Sequence, residues 1–422
     1  MHLFNRFLQK SKLALSCACS LMFAANFAHA LSYVMMKDTD LYAQSSGVLS
    51  AVVTSKTSSN GETRYILEQL EYLRSDGRNR SEETLVMPGG LVGNLNSRAA
   101  KSDIEISRYT GVTELESGAR VLVFFERGNN GEIKPMQLML GVFFEVNSGN
   151  ARMYRRDLNG GEEMSNQNAR YAAPRDAARF EQWVREGGDA LPDYLRPEWS
   201  NLKLPGAKFT QIRNGGTPVR WFKFGNNLPE NWSAISGGVA GTVAQVQAGL
   251  NSWTNDANSD IRYLFAGTVA SNPGNVSIII FDDPNNQIAG SFNCNQGGVL
   301  AIGGPSFQLS PTNFNGTNYF PIVRASVTTQ DGAACFYDGN GGSNGAQVMA
   351  HELGHTLGYG HSCGDSESPL CSSSTVLNDA TMRASAHGDG RGAELRADDM
   401  AGAFAVYPGA SLPPIILQNG FE

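Results

Sequence analysis

Histidine is absent between residues 30 and 350, and cysteine between residues 31 and 293. The first absence leaves most of the chain without an imidazole for metal ligation or for proton transfer near neutral pH. The second removes any thiol that a thiolate latch or thiolate metal site would need there. Basic residues are also scarce: 33 Lys and Arg stand against 40 Asp and Glu, for a formal charge of -7. A polyanionic partner would be repelled, so nucleic acid is excluded as a binding partner. Beyond the N-terminal leader no run of 18 apolar residues occurs, which excludes an integral membrane helix from the mature chain. Glycine, by contrast, is plentiful at 47 residues, with 41% hydrophobic and 17% charged residues. That balance fits a loop- and strand-rich protein with real cores, not a disordered chain or a long helical bundle.

The N-terminus reads as an export signal. Arg6, Lys10 and Lys12 precede an apolar run from Leu13 to Ala28, and Ala28-His29-Ala30 forms a small-residue cleavage pattern. Cleavage near Ala30 gives a secreted or periplasmic product. Cys17 and Cys19 leave with the leader, and Cys294, Cys335, Cys363 and Cys371 remain. An even number in an exported chain favours two disulfides, and no C-x-x-C spacing supports thiolate ligation. Of the three pairings we favour Cys294–Cys335 with Cys363–Cys371.

The mature chain divides into three blocks and a tail, and its fold class is read as multidomain α+β. Residues 31–150 form a small β domain, with strand-like runs at Val121–Phe125 and Leu138–Val146 and a turn at Pro88-Gly89-Gly90. Thr63–Leu73 fits a helical period, but its β-formers and flanking turn residues favour a strand. Residues 151–205 are a Pro-punctuated connector with one helix near Asp176–Glu186, its Phe180, Trp183 and Val184 on one side. Residues 206–408 form the last domain. Ile235, Val239, Val243, Val246, Leu250 and Trp253 predict one amphipathic helix. Val276–Phe281, Gly298–Ile302 and Ile322–Val327 predict strands, and 312–318 and 339–345 predict loops. Strands and helices in this order suggest a mixed sheet backed by helices. Residues 409–422 are a C-terminal tail with a frayed end as the default.

Three of the four histidines beyond the leader fall in one short run, residues 351–361, which reads His-Glu-Leu-Gly-His-Thr-Leu-Gly-Tyr-Gly-His. His351 and His355 are one helical turn apart and project from the same face, so both can reach one ion. Glu352 is rotated from His351 by about 100° and stands beside the metal without ligating it. Gly358 can end the helix in a left-handed turn, so that the returning chain brings His361 as a third ligand. Three nitrogens leave a fourth tetrahedral position for water, the pattern of one catalytic Zn2+ with Glu352 as general base. His387 is read as a surface or loop residue, since the ligand set is already complete.

At these residues the chain resembles the metzincin zinc endopeptidases, whose signature is H-E-x-x-H-x-x-G-x-x-H followed by a methionine turn. Val348, Met349 and Ala350 before the motif and Ser362 after it look most like the matrixin branch. The resemblance implies a metzincin-like mixed twisted sheet with an active-site helix, and protein or peptide substrates. Gly297–Pro305 would lie around the edge strand that holds substrate, Leu395–Pro408 would be the closing helix, and Met382 would form the floor beneath the zinc ligands. The chain departs from the pattern in three ways. Ala384 stands where an extra tyrosine ligand would be, a second matrixin zinc lacks its histidines, and no cysteine is available for a cysteine switch. The stretch from Ser362 to Asp379 looks like an inserted loop. Asp282, Asp283, Asp331, Asp338 and Asp365 form no dense calcium loop and are read as solvated loop acids, leaving calcium unsupported. The competing reading is an extracellular adhesion or binding protein with a structural metal site and no peptidase activity.

Overall fold

A computed structural model describes residues 32–92, 104–110, 112–148, 151–158, 169–188, 193–196, 210–366 and 368–409. The expected leader and nearly all of the tail lie outside the described residues. The fold is mixed α+β, with two sheets and several helices. No helix among the described residues is long and apolar enough to cross a membrane.

The first sheet runs in the order Arg175–Asp176, Ala151–Arg155, Val142–Ser148, Arg120–Arg127, Gly47–Ser59, Glu62–Arg74, Glu83–Pro88, Ile133–Pro135. Ile133–Pro135 also pairs back with Arg120–Arg127, so five of these strands close into a ring. The strand Arg120–Arg127 is buried on both faces, which is why its sequence is a continuous apolar run and not an alternation. Val121, Val123 and Phe125 fill the ring. Leu122 and Phe124 face a second core shared with Tyr33, Met35, Phe180, Trp183, Val299 and Ile302. The helix Ala177–Arg185 docks there through Phe180, Trp183 and Val184, and is capped by the Asp176 side chain.

The Thr63–Leu73 segment is a strand, Glu62–Arg74. Its register against Gly47–Ser59 shifts where Gln69 takes a positive φ, and this bulge breaks the two-residue alternation that would have marked a strand plainly. Leu138–Val146 begins as a tight turn at Leu138–Gly141, and only Val142–Ser148 is extended.

In the second sheet Tyr263–Val269, Glu230–Ile235, Ser277–Ile280 and Thr317–Thr329 are mutually parallel neighbours. Gly298–Gln308 joins antiparallel to Thr317–Thr329. Three pieces from early in the chain complete the sheet beyond it: Ser32–Val34, Glu105–Ser107 and Gly90–Val92. The predicted loop at 312–318 is a hairpin, with Thr312–Phe314 paired across an Asn315-Gly316 turn.

The helix expected from Ile235 to Trp253 is shorter, spanning Val243–Thr254. Ile235 ends a strand, and Val239 is exposed in the turn that follows. Gly237 and Gly241 take positive φ there, and the helix starts only where Thr242 and Gln245 form a reciprocal capping box. This helix crosses the one that carries the histidines, Ser343–Thr356, at a glycine. A Cβ on Gly249 would lie 2.9 Å from the Ala350 nitrogen. A glycine inside a helix costs about 1 kcal/mol relative to alanine, and here the close approach of two backbones offsets it.

Asp282 and Asp283 are not solvated acids, contrary to the expectation from sequence. Asp282 accepts from the Val239 and Ala240 amides at 2.6 and 2.8 Å. Asp283 is buried and accepts from the amides of Gln287 and Ile288 at 2.9 and 2.7 Å. Asp331 and Asp338 are exposed, as expected.

Two predictions follow from this packing. Gly249→Val should lower unfolding free energy by roughly 1–3 kcal/mol, because the added atoms meet backbone that cannot yield; chemical denaturation would measure it. Burial pushes the Asp283 carboxyl up to about 6 from its ordinary 3.8. It therefore holds its proton more tightly in the folded chain, and its contribution to stability declines as pH rises from about 4 to about 6. The stability of Asp283→Asn relative to wild type should rise across that interval in thermal melts; a flat difference would contradict the assignment.

Candidate metal centre

The helix Ser343–Thr356 presents His351 and His355 on one face, as their spacing requires. Leu357 ends it, and Gly358 follows at φ +96 with its α-carbon against the Val219 carbonyl, where a Cβ would come within 2.8 Å. The chain then returns and places His361 beside the other two. The three histidines are buried, and their ligand nitrogens lie within 4.8 Å of one another. Among the described residues no other cluster of His, Cys, Asp or Glu has this arrangement.

The outer nitrogens decide what the inner ones can do. His351 Nδ1 lies 2.7 Å from the Thr381 carbonyl oxygen, and His355 Nδ1 lies 2.9 Å from that of Tyr359. His361 Nδ1 lies 2.6 Å from the Asp365 carboxylate. Carbonyl and carboxylate oxygens only accept, so each Nδ1 carries a hydrogen, and in a neutral ring Nε2 is then the nitrogen with the bare lone pair. Burial pushes the His351 imidazole down to about 3, with His361 adding to the effect, and pushes His355 well down too. Both rings are therefore neutral. The Nε2 atoms of His351 and His355 face each other at 2.7 Å. Two lone pairs at that distance, in a buried place, repel unless a cation lies between them. The donor set thus fits a metal ion.

Glu352 follows His351 on the same helix and is fully buried. Its Oε1 accepts from the Ser32 amide at 3.1 Å, whereas Oε2 has no hydrogen-bond partner among the described residues. Burial pushes this carboxyl up to about 7. Gly303 of the strand Gly298–Gln308 passes beside it: a Cβ there would meet the Glu352 carbonyl at 2.6 Å.

Met382 lies under the helix, its sulfur 2.3 Å from where a Cβ on Gly354 would stand. Gly354 is needed because that sulfur and the Trp253 ring close on the helix there. The turn at Thr381-Met382 is held by Asp399, whose two oxygens accept from the two amides at 2.8 and 3.0 Å. Asp399 belongs to the helix Ala397–Val406, so the last helix fixes the turn that in turn fixes His351. Trp221 and Tyr407 donate to the Thr356 and Leu357 carbonyls, satisfying orphan acceptors at the end of the histidine helix.

His387 stays outside the cluster, with Nε2 3.1 Å from the Ala380 carbonyl. Both disulfides form as favoured from sequence, Cys294–Cys335 and Cys363–Cys371. The second closes the loop that carries Asp365. Asp365 is not the solvated loop acid expected from sequence; it is fully buried and orients His361. Its position four residues after the third histidine was the available signal, since a ligating imidazole needs an acceptor for its other nitrogen. Ser32, Thr381 and Asp399 left no local trace.

A scan against protein-family models matches none, and a search of curated proteins finds no match.

The role of Asp365 generates a test. Asp365→Asn should retain the fold and lose roughly 10- to 100-fold in metal affinity, read by competition with a chromophoric chelator. Affinity unchanged by the substitution would mean that His361 needs no such partner.

Proposed function

We propose that this chain is an exported, zinc-dependent endopeptidase of metzincin-like architecture that hydrolyses peptide bonds of protein substrates. The observation that carries the reading is three buried histidines whose ligand nitrogens lie within 4.8 Å of one another, with a buried carboxylate on the same helix whose Oε2 has no partner among the described residues. Imidazole nitrogen in a three-ligand set suits zinc, with one position left for water. When bound, the zinc would polarise a carbonyl and acidify a water molecule.

The residues of the chain account for the rest. Thr381, Tyr359 and Asp365 hold the three rings in the ligating tautomer. Glu352 Oε2 is placed to take a proton from a water molecule and to hand it on to the leaving amine. A carboxyl poised near neutrality can do both, and burial supplies that poise. Met382 packs beneath as a hydrophobic floor. The antiparallel strand Gly298–Gln308 runs past Glu352, and its outer edge pairs with extended backbone, here Ser32–Val34 and Glu105–Ser107, which favours peptides over small esters as substrates. Parallel strands, the antiparallel strand beside them, the histidine helix and the closing helix are the parts the sequence resemblance implies. The paired cysteines suit an oxidising compartment outside the cytoplasm.

Glu352→Ala tests the assignment. Turnover of a quenched peptide by the zinc-loaded chain should fall by roughly 10²–10⁴-fold, with one zinc per chain retained. Turnover equal to wild type would remove Glu352 from its role. A folded wild type that binds one zinc and cleaves nothing would favour the adhesion or binding reading.

A further inference from the structure

The edge of Gly298–Gln308 that would receive a peptide is already taken by this same chain. Ser32–Val34 lies antiparallel to it, with Ser32 opposite Ala301, Tyr33 opposite Val299 and Val34 opposite Gly298. On its other side Tyr33 bridges Ser385 in parallel, and its carbonyl accepts from the Ala386 amide at 3.2 Å. An extended tripeptide is thus held between the edge strand and the segment after Met382. The amide it aims at Glu352, that of Ser32, contains the nitrogen of a peptide bond. This is the group that a hydrolysed peptide would release as amine. Tyr33, Met35 and Met36 are fully buried.

The strand is also anchored from behind. Asp38 is fully buried and accepts from Arg156, from Arg175 at two oxygens, and from the Tyr194 hydroxyl, at 2.9–3.1 Å. Arg156 reaches forward as well, with Nη1 3.4 Å from the Met36 carbonyl oxygen. These partners all come from residues 151–205, whose strands Ala151–Arg155 and Arg175–Asp176 belong to the first sheet. A buried carboxylate with two guanidinium partners holds only as a complete set, because removing one partner strands a charge. Further along the edge, Glu105–Ser107 pairs with Ser306–Gln308, and the Arg108 amide donates to the Pro305 carbonyl.

We propose that residues 32–36 are a resident, substrate-like peptide that occupies the peptide-binding edge beside the three histidines, so that an external polypeptide binds only when this strand leaves. The inference rests on the peptidase reading for what the strand excludes, but its geometry needs no turnover. Latency here requires no cysteine: the tether gives the strand an effective concentration that a free peptide must outcompete.

The test uses the full-length exported chain, zinc-loaded and carrying Glu352→Ala so that the ligand survives. The ligand is a fluorescent heptapeptide copied from residues 31–37, and binding is read by anisotropy. Adding Tyr33→Gly, which empties the buried ring position, should tighten binding at least tenfold. Equal binding with and without Tyr33→Gly, or no binding by the folded variant, overturns the proposal. If Tyr33→Gly fails to fold, hydrogen exchange on the unmodified chain decides. The amides of residues 33–36 should exchange at least a hundredfold more slowly than in the free heptapeptide, and exchange at the free rate overturns the proposal. A failure of the peptidase reading would look different: no variant would turn over any peptide, while both binding measurements would still give their answer.

Discussion

The centre depends on three hydrogen bonds that point away from it. Each imidazole has two nitrogens, and in a neutral ring an acceptor on the outer one leaves the lone pair on the inner one. Thr381, Tyr359 and Asp365 supply those acceptors at 2.6–2.9 Å. Without them the rings could sit in the same places and still offer hydrogens to the common point. Burial acts in the same direction by disfavouring the charged imidazolium. The cluster is therefore set up for a cation, with lone pairs brought closer together than they would sit unaided.

Much of the surrounding fold serves to keep those acceptors still. Asp399 in the last helix holds the Thr381-Met382 turn, and Cys363–Cys371 closes the loop bearing Asp365. Trp221 and Tyr407 occupy the carbonyls where the histidine helix stops, and Gly249 lets a second helix lie close along it. A glycine, two aromatic donors and a carboxylate from three separate segments support one helix and the turn beneath it. Their shared effect is rigidity at a site where small displacements of a ligand alter its donor geometry.

The N-terminal residues belong to this same construction. A core common to both sheets contains Tyr33 and Met35 with Leu122, Phe124, Phe180, Val299 and Ile302. The ring of strands, the connector helix and the edge of the second sheet thus bury apolar surface on one another, and the strand beside Glu352 is part of that burial. An extended backbone at a sheet edge has amides and carbonyls to satisfy. Here the chain's own beginning satisfies some of them.

The sequence alone determined the three-histidine cluster, the order of the histidine helix and its glycine turn, and the mixed α+β character. It could do so because helical spacing and glycine's access to positive φ are local properties. His351, His355, Glu352 and Gly358 are legible for that reason, and so are the strands of continuous apolar residues. The bulge at Gln69 blurred the alternation of a strand that its β-formers still favoured, and Gly237 and Gly241 cut short a helix that periodicity extends to Ile235. Asp365 as the partner of His361, Asp399 as the support of Met382, and Ser32 at Glu352 arise only when segments up to 320 residues apart are packed together. Their hydrogen bonds have no signature in spacing, because nothing but the tertiary fold sets the distance between them.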